Sequence, residues 1–233
     1  MHGKGRVNRQ GGAAARQART FWVLMLAGVL MLAGVLWWAG KQAEVSQARF
    51  ANLGGPFTLV DHDGRPFTEK DLRGKYTLLY FGYTYCPDVC PTELSIISET
   101  LNLLGDLRQR FRVVMVSVDP ERDTPEVLKD YMANFGPEFI GLTGTPEQIR
   151  SMARNWRAFY RKVPGEGDPQ AYTMDHTATT FLLDEQGNYV RHFAYATPPD
   201  VMARALRDIV GSQQARQEQR AQTTERAAQG DPS

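Results

Sequence analysis

The chain has 233 residues, with 27 lysines and arginines against 26 aspartates and glutamates and a formal net charge of +1. That near balance, with no basic stripe interleaved with aromatics, argues against a nucleic-acid partner. A content of 42% hydrophobic and 23% charged residues marks a globular body, and the two cysteines, Cys86 and Cys90, form a local pair and not a disulfide framework.

Residues 1–19 form a basic, Gly- and Ala-rich tail in which Lys4, Arg6, Arg9, Arg16 and Arg19 meet no acidic residue. The stretch 20–40 (TFWVLMLAGVLMLAGVLWWAG) carries no charge. As a helix it would reach about 30 Å, one bilayer core, which predicts an N-terminal transmembrane helix. Trp37 and Trp38 fall where an interfacial aromatic belt would form. The positive-inside rule places the tail in the cytoplasm and the remainder on the opposite side. The competing reading is a cleaved signal peptide, whose apolar region is usually about 7–15 residues. The run here is longer, and the small-x-small segment Ser46-Gln47-Ala48 lies well beyond it, so an uncleaved anchor fits better. Residues 41–52 read as a tether and 53–210 as the body. The stretch 211–233 has alanine as its one apolar residue type and no aromatic, which predicts a disordered polar tail, with an extension of the last helix by a few turns as the other outcome.

Within the body, Phe57 to Val60, the Asp63-Gly64 turn and Pro66 to Thr68 predict a β-hairpin. Tyr76 to Tyr83 (YTLLYFGY) is an apolar run that predicts a buried central strand. From Pro91 to about Arg110, Leu94, Ile97, Leu101 and Leu104 recur at helical spacing. Arg112 to Val118 predicts a second buried strand. Thr124-Pro125 opens a helix, Phe139 to Leu142 is a short strand, and Thr145-Pro146 opens a helix to about Trp156. Tyr160–Val163 and Ala171–Met174 flank a Gly/Pro-rich turn, an inserted hairpin. Thr179–Leu183 and Tyr189–Tyr195 form a strand, turn and strand, and Pro198-Pro199 opens a closing helix to Val210. This order predicts an α/β fold, a thioredoxin-like mixed sheet flanked by helices.

The cysteines lie where the first central strand hands over to a long helix, the end of an open α/β sheet where sites collect. Free N–H groups at a helix N-terminus favour thiolate over thiol, so both cysteines are expected to have lowered pKa values. Two thiolates with three residues between them can share one metal ion or close a redox disulfide. A purely stabilising disulfide would close too small a loop to remove much chain entropy, and a structural zinc site wants four ligands. Of the histidines, His2 lies in the tail, His62 beside a turn and His192 on the last strand as a surface residue. His176, in Met174-Asp175-His176-Thr177, precedes the strand Thr179–Leu183, and in a thioredoxin arrangement that loop faces the cysteine turn. Cys86, Cys90 and His176 therefore make a soft, three-coordinate site suited to copper, as Cu(I) or, with a further ligand, Cu(II). Asp175 is expected to orient the imidazole, or else to cap its own turn. Asp119, at the end of the second buried strand, is expected to tune the site, or else to belong to the turn before Thr124. Met174 is a candidate axial ligand, with packing as its ordinary role.

The segments Phe81-Gly82-Tyr83-Thr84, Cys86-Pro87-Asp88-Val89-Cys90-Pro91, Val118-Asp119-Pro120, Arg122-Asp123-Thr124 and Asp175-His176-Thr177 together resemble the Sco/SenC family from about Gly55 to Val210. The resemblance implies a thioredoxin-like fold and copper held by Cys86, Cys90 and His176. It also implies a metallochaperone role in assembling the dinuclear copper centre of cytochrome c oxidase subunit II. An upstream copper donor or a thiol reductase would be a second partner, and the anchored body would be periplasmic or would face the mitochondrial intermembrane space. The alternative is a thiol–disulfide oxidoreductase that keeps the target's cysteines reduced, with Cys86 attacking and Cys90 resolving; a peroxidase or redox sensor is a third reading. Two features favour metal: three residues separate the cysteines where thioredoxin-type reductases have two, and histidine replaces proline in the loop 175–178.

Overall fold

A computed structural model of the chain describes residues 53–165 and 171–228, together with positions 25, 28, 30–35, 37 and 38. The basic tail, the tether 41–52 and much of the expected transmembrane helix lie outside the described residues, and the positions described within 20–40 are helical and exposed. Among the described residues no helix is long and apolar enough to cross a membrane. The chain divides into two units, Met1–Ala51 and Asn52–Ser233.

The second unit is built on a seven-stranded mixed sheet. Its strands in chain order are β1 (Thr58–Asp61), β2 (Pro66–Thr68), β3 (Tyr76–Gly82), β4 (Phe111–Ser117), β5 (Phe139–Thr143), β8 (Thr180–Leu183) and β9 (Tyr189–Phe193), and their spatial order is β2-β1-β5-β4-β3-β8-β9. β3, β4 and β5 run parallel, with Tyr76 opposite Phe111 and Gly82 opposite Ser117. β1 joins β5, and β8 joins β3, in antiparallel pairs. Every residue of β3 is buried, as a strand covered on both faces by helices requires. The sequence therefore shows an unbroken apolar run there and not an alternation.

Helix α1 (Val89–Leu103) follows β3 and buries Leu94, Ile97 and Leu101. The expected helix to Arg110 ends early. Gly105 adopts φ +60°, the left-handed geometry that terminates helices, and a short 3-10 turn over Gly105–Arg110 leads into β4. Helix α2 (Pro125–Met132) starts as expected, with Thr124 Oγ1 accepting from the Val127 N–H. Helix α3 (Pro146–Asn155) carries a full capping box between Thr145 and Gln148. The inserted hairpin is β6 (Tyr160–Pro164) with β7 (Tyr172–His176), an antiparallel pair forming its own two-stranded sheet.

Helix α4 (Pro199–Ala228) packs against α1 and continues through the stretch expected to be a disordered tail. The extension, the other outcome expected for this stretch, has a local cause. Residues 211–228 are dominated by Ala, Gln, Glu and Arg, good helix formers with no proline among them. The Tyr76 hydroxyl also donates to Gln213 Oε1 at 2.6 Å, tying the extension to the start of β3. Residues 229–233 lie outside the described residues.

Candidate metal centre

The chain leaves β3 at Gly82, turns through 83–88 and enters α1 with Cys90 in its first turn. Gly82 is needed there. A Cβ at that position would meet the Tyr80 ring at 2.7 Å and Cys90 Sγ at 3.1 Å, so glycine makes room for the sulfur beneath the turn. The Cys90 backbone N–H donates to Cys86 Sγ at 3.3 Å. His176 is the last residue of β7, and its Nε2 lies 3.2 Å from Cys90 Sγ. One ligand atom from each of Cys86, Cys90 and His176 falls within 4.8 Å of the others, a spacing one soft metal ion can bridge. Cys90 is fully buried and Cys86 is 9% exposed, so the site opens to solvent on the Cys86 and His176 side.

The two thiols differ, which corrects the expectation that both are acidified. Cys86 is held well below the ordinary thiol value by its hydrogen bond with Cys90; burial opposes this, and His176 and the backbone N–H groups at Cys90 and Asp88 assist. Cys90 is pushed up, by donating to Cys86 and by its own burial. The pair thus favours the negative charge on Cys86 and the proton on the more deeply buried Cys90.

His176 is fixed from both sides. The rings of Tyr80 and Tyr83 meet the imidazole edge-on, with centroids at 5.9 and 5.8 Å and interplanar angles of 87°. His176 Nδ1 lies 3.3 Å from the Thr177 carbonyl oxygen. A carbonyl only accepts, so it can hold a proton on Nδ1, which leaves Nε2, the nitrogen facing the sulfurs, as the atom that would ligate a metal. The Tyr80 hydroxyl donates to Cys90 Sγ at 3.8 Å.

Asp175 does not orient the imidazole. Along β7 the residues Tyr172, Met174 and His176 share the inner face, while Thr173 and Asp175 point outward. Asp175 pairs with Arg161 at 2.7 Å on the exposed face of the hairpin. Asp119 is buried, but it works one layer away from the sulfurs: it is ion-paired with Arg122 and accepts from the Tyr172 hydroxyl at 2.8 Å. Met174 is buried in the core, and its N–H donates to the Tyr83 hydroxyl at 3.2 Å, the packing role. His62, beside the first hairpin turn, accepts from the Gly141 N–H through Nδ1. His192 is exposed on β9, with Nδ1 2.7 Å from the Tyr189 hydroxyl. His2 lies outside the described residues.

Two buried acids were given no role in the sequence reading. Asp123 accepts from the Thr84 N–H, the Thr84 hydroxyl and the Ser117 hydroxyl, and so pins the chain two residues before Cys86. Glu93, one helical turn after Cys90, accepts from the Thr180 hydroxyl at 2.7 Å and the Ala196 N–H at 3.0 Å. Ala196 holds φ +57°, an unfavourable geometry for a residue with a side chain, and Glu93 stabilises it. The signal for Glu93 was available: the apolar face of α1, traced through Leu94, Ile97 and Leu101, also takes in position 93.

Burial raises the Glu93 carboxyl above its ordinary value against the lowering effect of its two donors. The neutral acid is therefore the form the fold favours. Its contribution is full below the unfolded-state value of about 4.3 and is lost as pH rises through the folded-state value. Glu93→Gln preserves an acceptor for Ala196 and a polar partner for Thr180 without the charge. Its stability relative to the parent protein is expected to rise between pH 4.5 and pH 8 in urea unfolding. An offset that stays constant with pH would show that Glu93 does not titrate in this way.

Comparison with known proteins adds the family. The SCO1/SenC family model matches residues 45–211. The SCO2-like protein RP587 of Rickettsia prowazekii is 45% identical over 141 residues, covering 60% of this chain and 69% of that protein. Among solved structures, Bradyrhizobium japonicum ScoI with copper bound is 44% identical, with a TM-score of 0.61, over 67% of this chain and 98% of that one. Arabidopsis thaliana ScoI with copper bound is 37% identical, with a TM-score of 0.65, over 69% and 99%. With the expected fold in place and the three ligand-type side chains gathered at one turn, the chain belongs to the SCO1/SenC family.

Proposed function

We propose that the protein is a copper metallochaperone in cytochrome c oxidase assembly, with copper as its cargo at Cys86, Cys90 and His176. The carrying observation is the convergence of two sulfurs and one imidazole within 4.8 Å, in a family whose solved members from B. japonicum and A. thaliana hold copper. A site with three ligands and one open side can release its ion by ligand exchange. An acceptor's ligand enters on the Cys86 side as a bond to a resident ligand breaks. Copper binds thiolates, so loading displaces any thiol proton that the pair still holds.

The finer reading follows the resemblance. The recipient is the dinuclear copper centre of cytochrome c oxidase subunit II, and an upstream copper donor or a thiol reductase restores the loaded or reduced state. Residues 20–40 anchor the chain in the inner membrane, with 1–19 cytoplasmic, 41–52 a tether and 53–210 the copper-binding body in the periplasm; the mitochondrial inner membrane, facing the intermembrane space, is the alternative. A reporter fused after Val210 should then be active only outside the cytoplasm, and cytoplasmic activity would overturn that topology.

One observation favours a second reading, thiol–disulfide exchange. The anionic Cys86 is the more exposed sulfur and Cys90 sits beside it, the attacker and resolver arrangement. Anaerobic copper titration of the reduced full-length chain separates the two. One tightly held copper per chain supports the chaperone. Absence of tight copper together with rapid disulfide exchange would make the reductase the leading reading.

A further inference from the structure

His176 does not sit on the main sheet. It ends β7, whose backbone pairs with β6 alone, and a two-stranded ribbon is marginal without support. The third ligand therefore depends on whatever fastens the hairpin to the body. The hairpin is fastened at Met174, whose side chain is buried and whose N–H donates to the Tyr83 hydroxyl, and by a larger set of contacts at Tyr172, on the same face of β7 as His176 and four residues earlier. The Tyr172 hydroxyl donates to Asp119 Oδ1 at 2.8 Å, and its carbonyl accepts from Arg122 Nη1 at 3.1 Å. The Arg122 guanidinium lies 3.7 Å from the centre of the Tyr172 ring and 4.7 Å from that of Tyr85, the residue before Cys86. Its Nε is bonded to Asp119, so the cation is held by a buried carboxylate. On the same face of the hairpin, Lys162, which stands opposite Met174, reaches Glu121 at 2.8 Å and lies 3.7 Å from the same ring.

We propose that Arg122, Asp119 and Tyr172 form a latch that holds the β6–β7 hairpin, and with it His176, against the cysteine turn. Arg122 is then a positioning residue that sets how firmly His176 completes the copper site. It touches both halves of the site, the strand that brings the imidazole and the aromatic residue that precedes Cys86. Its planar, permanently charged fork can serve the carboxylate, the carbonyl and the ring faces together, which a lysine cannot do. The expected Asp175 contact to His176 is absent in the strand register; Tyr80, Tyr83 and the Thr177 carbonyl orient the ring itself, and the latch holds the strand that carries it.

The latch rests on the copper reading for its consequence, but the tethering itself can be read without metal. In the reduced, copper-free, full-length chain, hydrogen exchange at the backbone amides of 172–176 should be at least about tenfold faster in Arg122→Met than in the parent, and unchanged in Asp175→Asn. In chelator competition, Arg122→Met should weaken copper binding about 10–100-fold, the range found when a group that orients a metal ligand is removed. The same change made in a His176→Ala background should cost nothing further, because there is no imidazole left to place. The nitrogen coupling in the spectrum of the Cu(II) form should fall with Arg122→Met as it does with His176→Ala. Tyr172→Phe, which removes one hydroxyl, should move each reading in the same direction by less, and it carries the test if Arg122→Met does not fold. Unchanged exchange at 172–176 overturns the latch, as does a loss of affinity that adds in full to that of His176→Ala. A parent protein that fails to bind copper would overturn the proposed function and leave the exchange result to judge the latch alone.

Discussion

Replacing both cysteines, Cys86→Ser/Cys90→Ser, will abolish tight copper binding, and His176→Ala alone will weaken it by at least about 100-fold. The cysteine result follows from ligand chemistry. Serine keeps the shape of the turn but exchanges a polarizable thiolate for a hydroxyl that does not ionise near neutral pH, and copper prefers soft donors. The site's charge also disappears, since the anion rests on Cys86. Replacing His176 leaves both sulfurs and removes the only nitrogen donor of the cluster. Loss of a group that merely orients a ligand costs about 10–100-fold, so loss of the ligand should meet or exceed the upper end, about 2.7 kcal/mol. Neither change should unfold the chain. The imidazole is half-buried at the end of a hairpin, and serine replaces each buried cysteine with a side chain of nearly the same shape. Chelator competition on the reduced protein, beside far-ultraviolet circular dichroism, reads both points. Undiminished binding of one copper by the serine variant would remove the cysteines from the site, and undiminished affinity in His176→Ala would remove the histidine.

The sequence carried the sheet because its central strands are written without alternation. Tyr76–Gly82 and Phe111–Ser117 are covered on both faces, and an apolar run between turn signals has few other destinations. The proline and threonine pairs at 124–125 and 145–146 located two helix starts for a local chemical reason, the cap bond, which does not wait for tertiary structure. The cysteines were legible because their spacing is local. His176 was legible once the fold was assumed, because topology brings the segment before β8 to the end of β3. Asp175 was misplaced because the reading treated 175–178 as a loop, in which neighbours can cooperate, while the chain is still a strand at His176 and alternation turns adjacent side chains to opposite faces. The lowered pKa expected of both thiols holds for Cys86 and not for Cys90, because adjacency to a helix start acts on both, whereas burial and the shared proton distinguish them. The roles of Tyr80, Tyr83, Arg122 and Asp123 depend on contacts between segments distant in sequence, for which no local pattern exists.

Asp123→Ala will cost the fold about 2–4 kcal/mol in the absence of any metal, the largest stability effect expected of a residue that touches none of the three ligands. Asp123 is fully buried and satisfies three donors at once: the Thr84 N–H at 3.1 Å, the Thr84 hydroxyl at 2.6 Å and the Ser117 hydroxyl at 2.6 Å. Each buried donor left without an acceptor costs about 1–3 kcal/mol; a hydroxyl can turn to find another partner, but the Thr84 N–H cannot. Burial raises the Asp123 carboxyl despite those donors, so part of their strength offsets the cost of burying the acid, and the net loss falls below a simple sum. The position of the bonds gives the change a functional consequence. Ser117 ends β4 and Thr84 begins the cysteine turn, so Asp123 ties the ligand loop to the neighbouring strand. Urea unfolding of the reduced protein measures the loss, and Thr84→Ala separates the two roles of the carboxylate. If the carboxylate acts through Thr84, the double variant will cost clearly less than the two single variants together, because the partners share bonds that can be lost only once. Full additivity, or a loss below about 0.5 kcal/mol for Asp123→Ala, a value ordinary surface substitutions reach, would mean that the turn is held in place by the helix and the sheet without it.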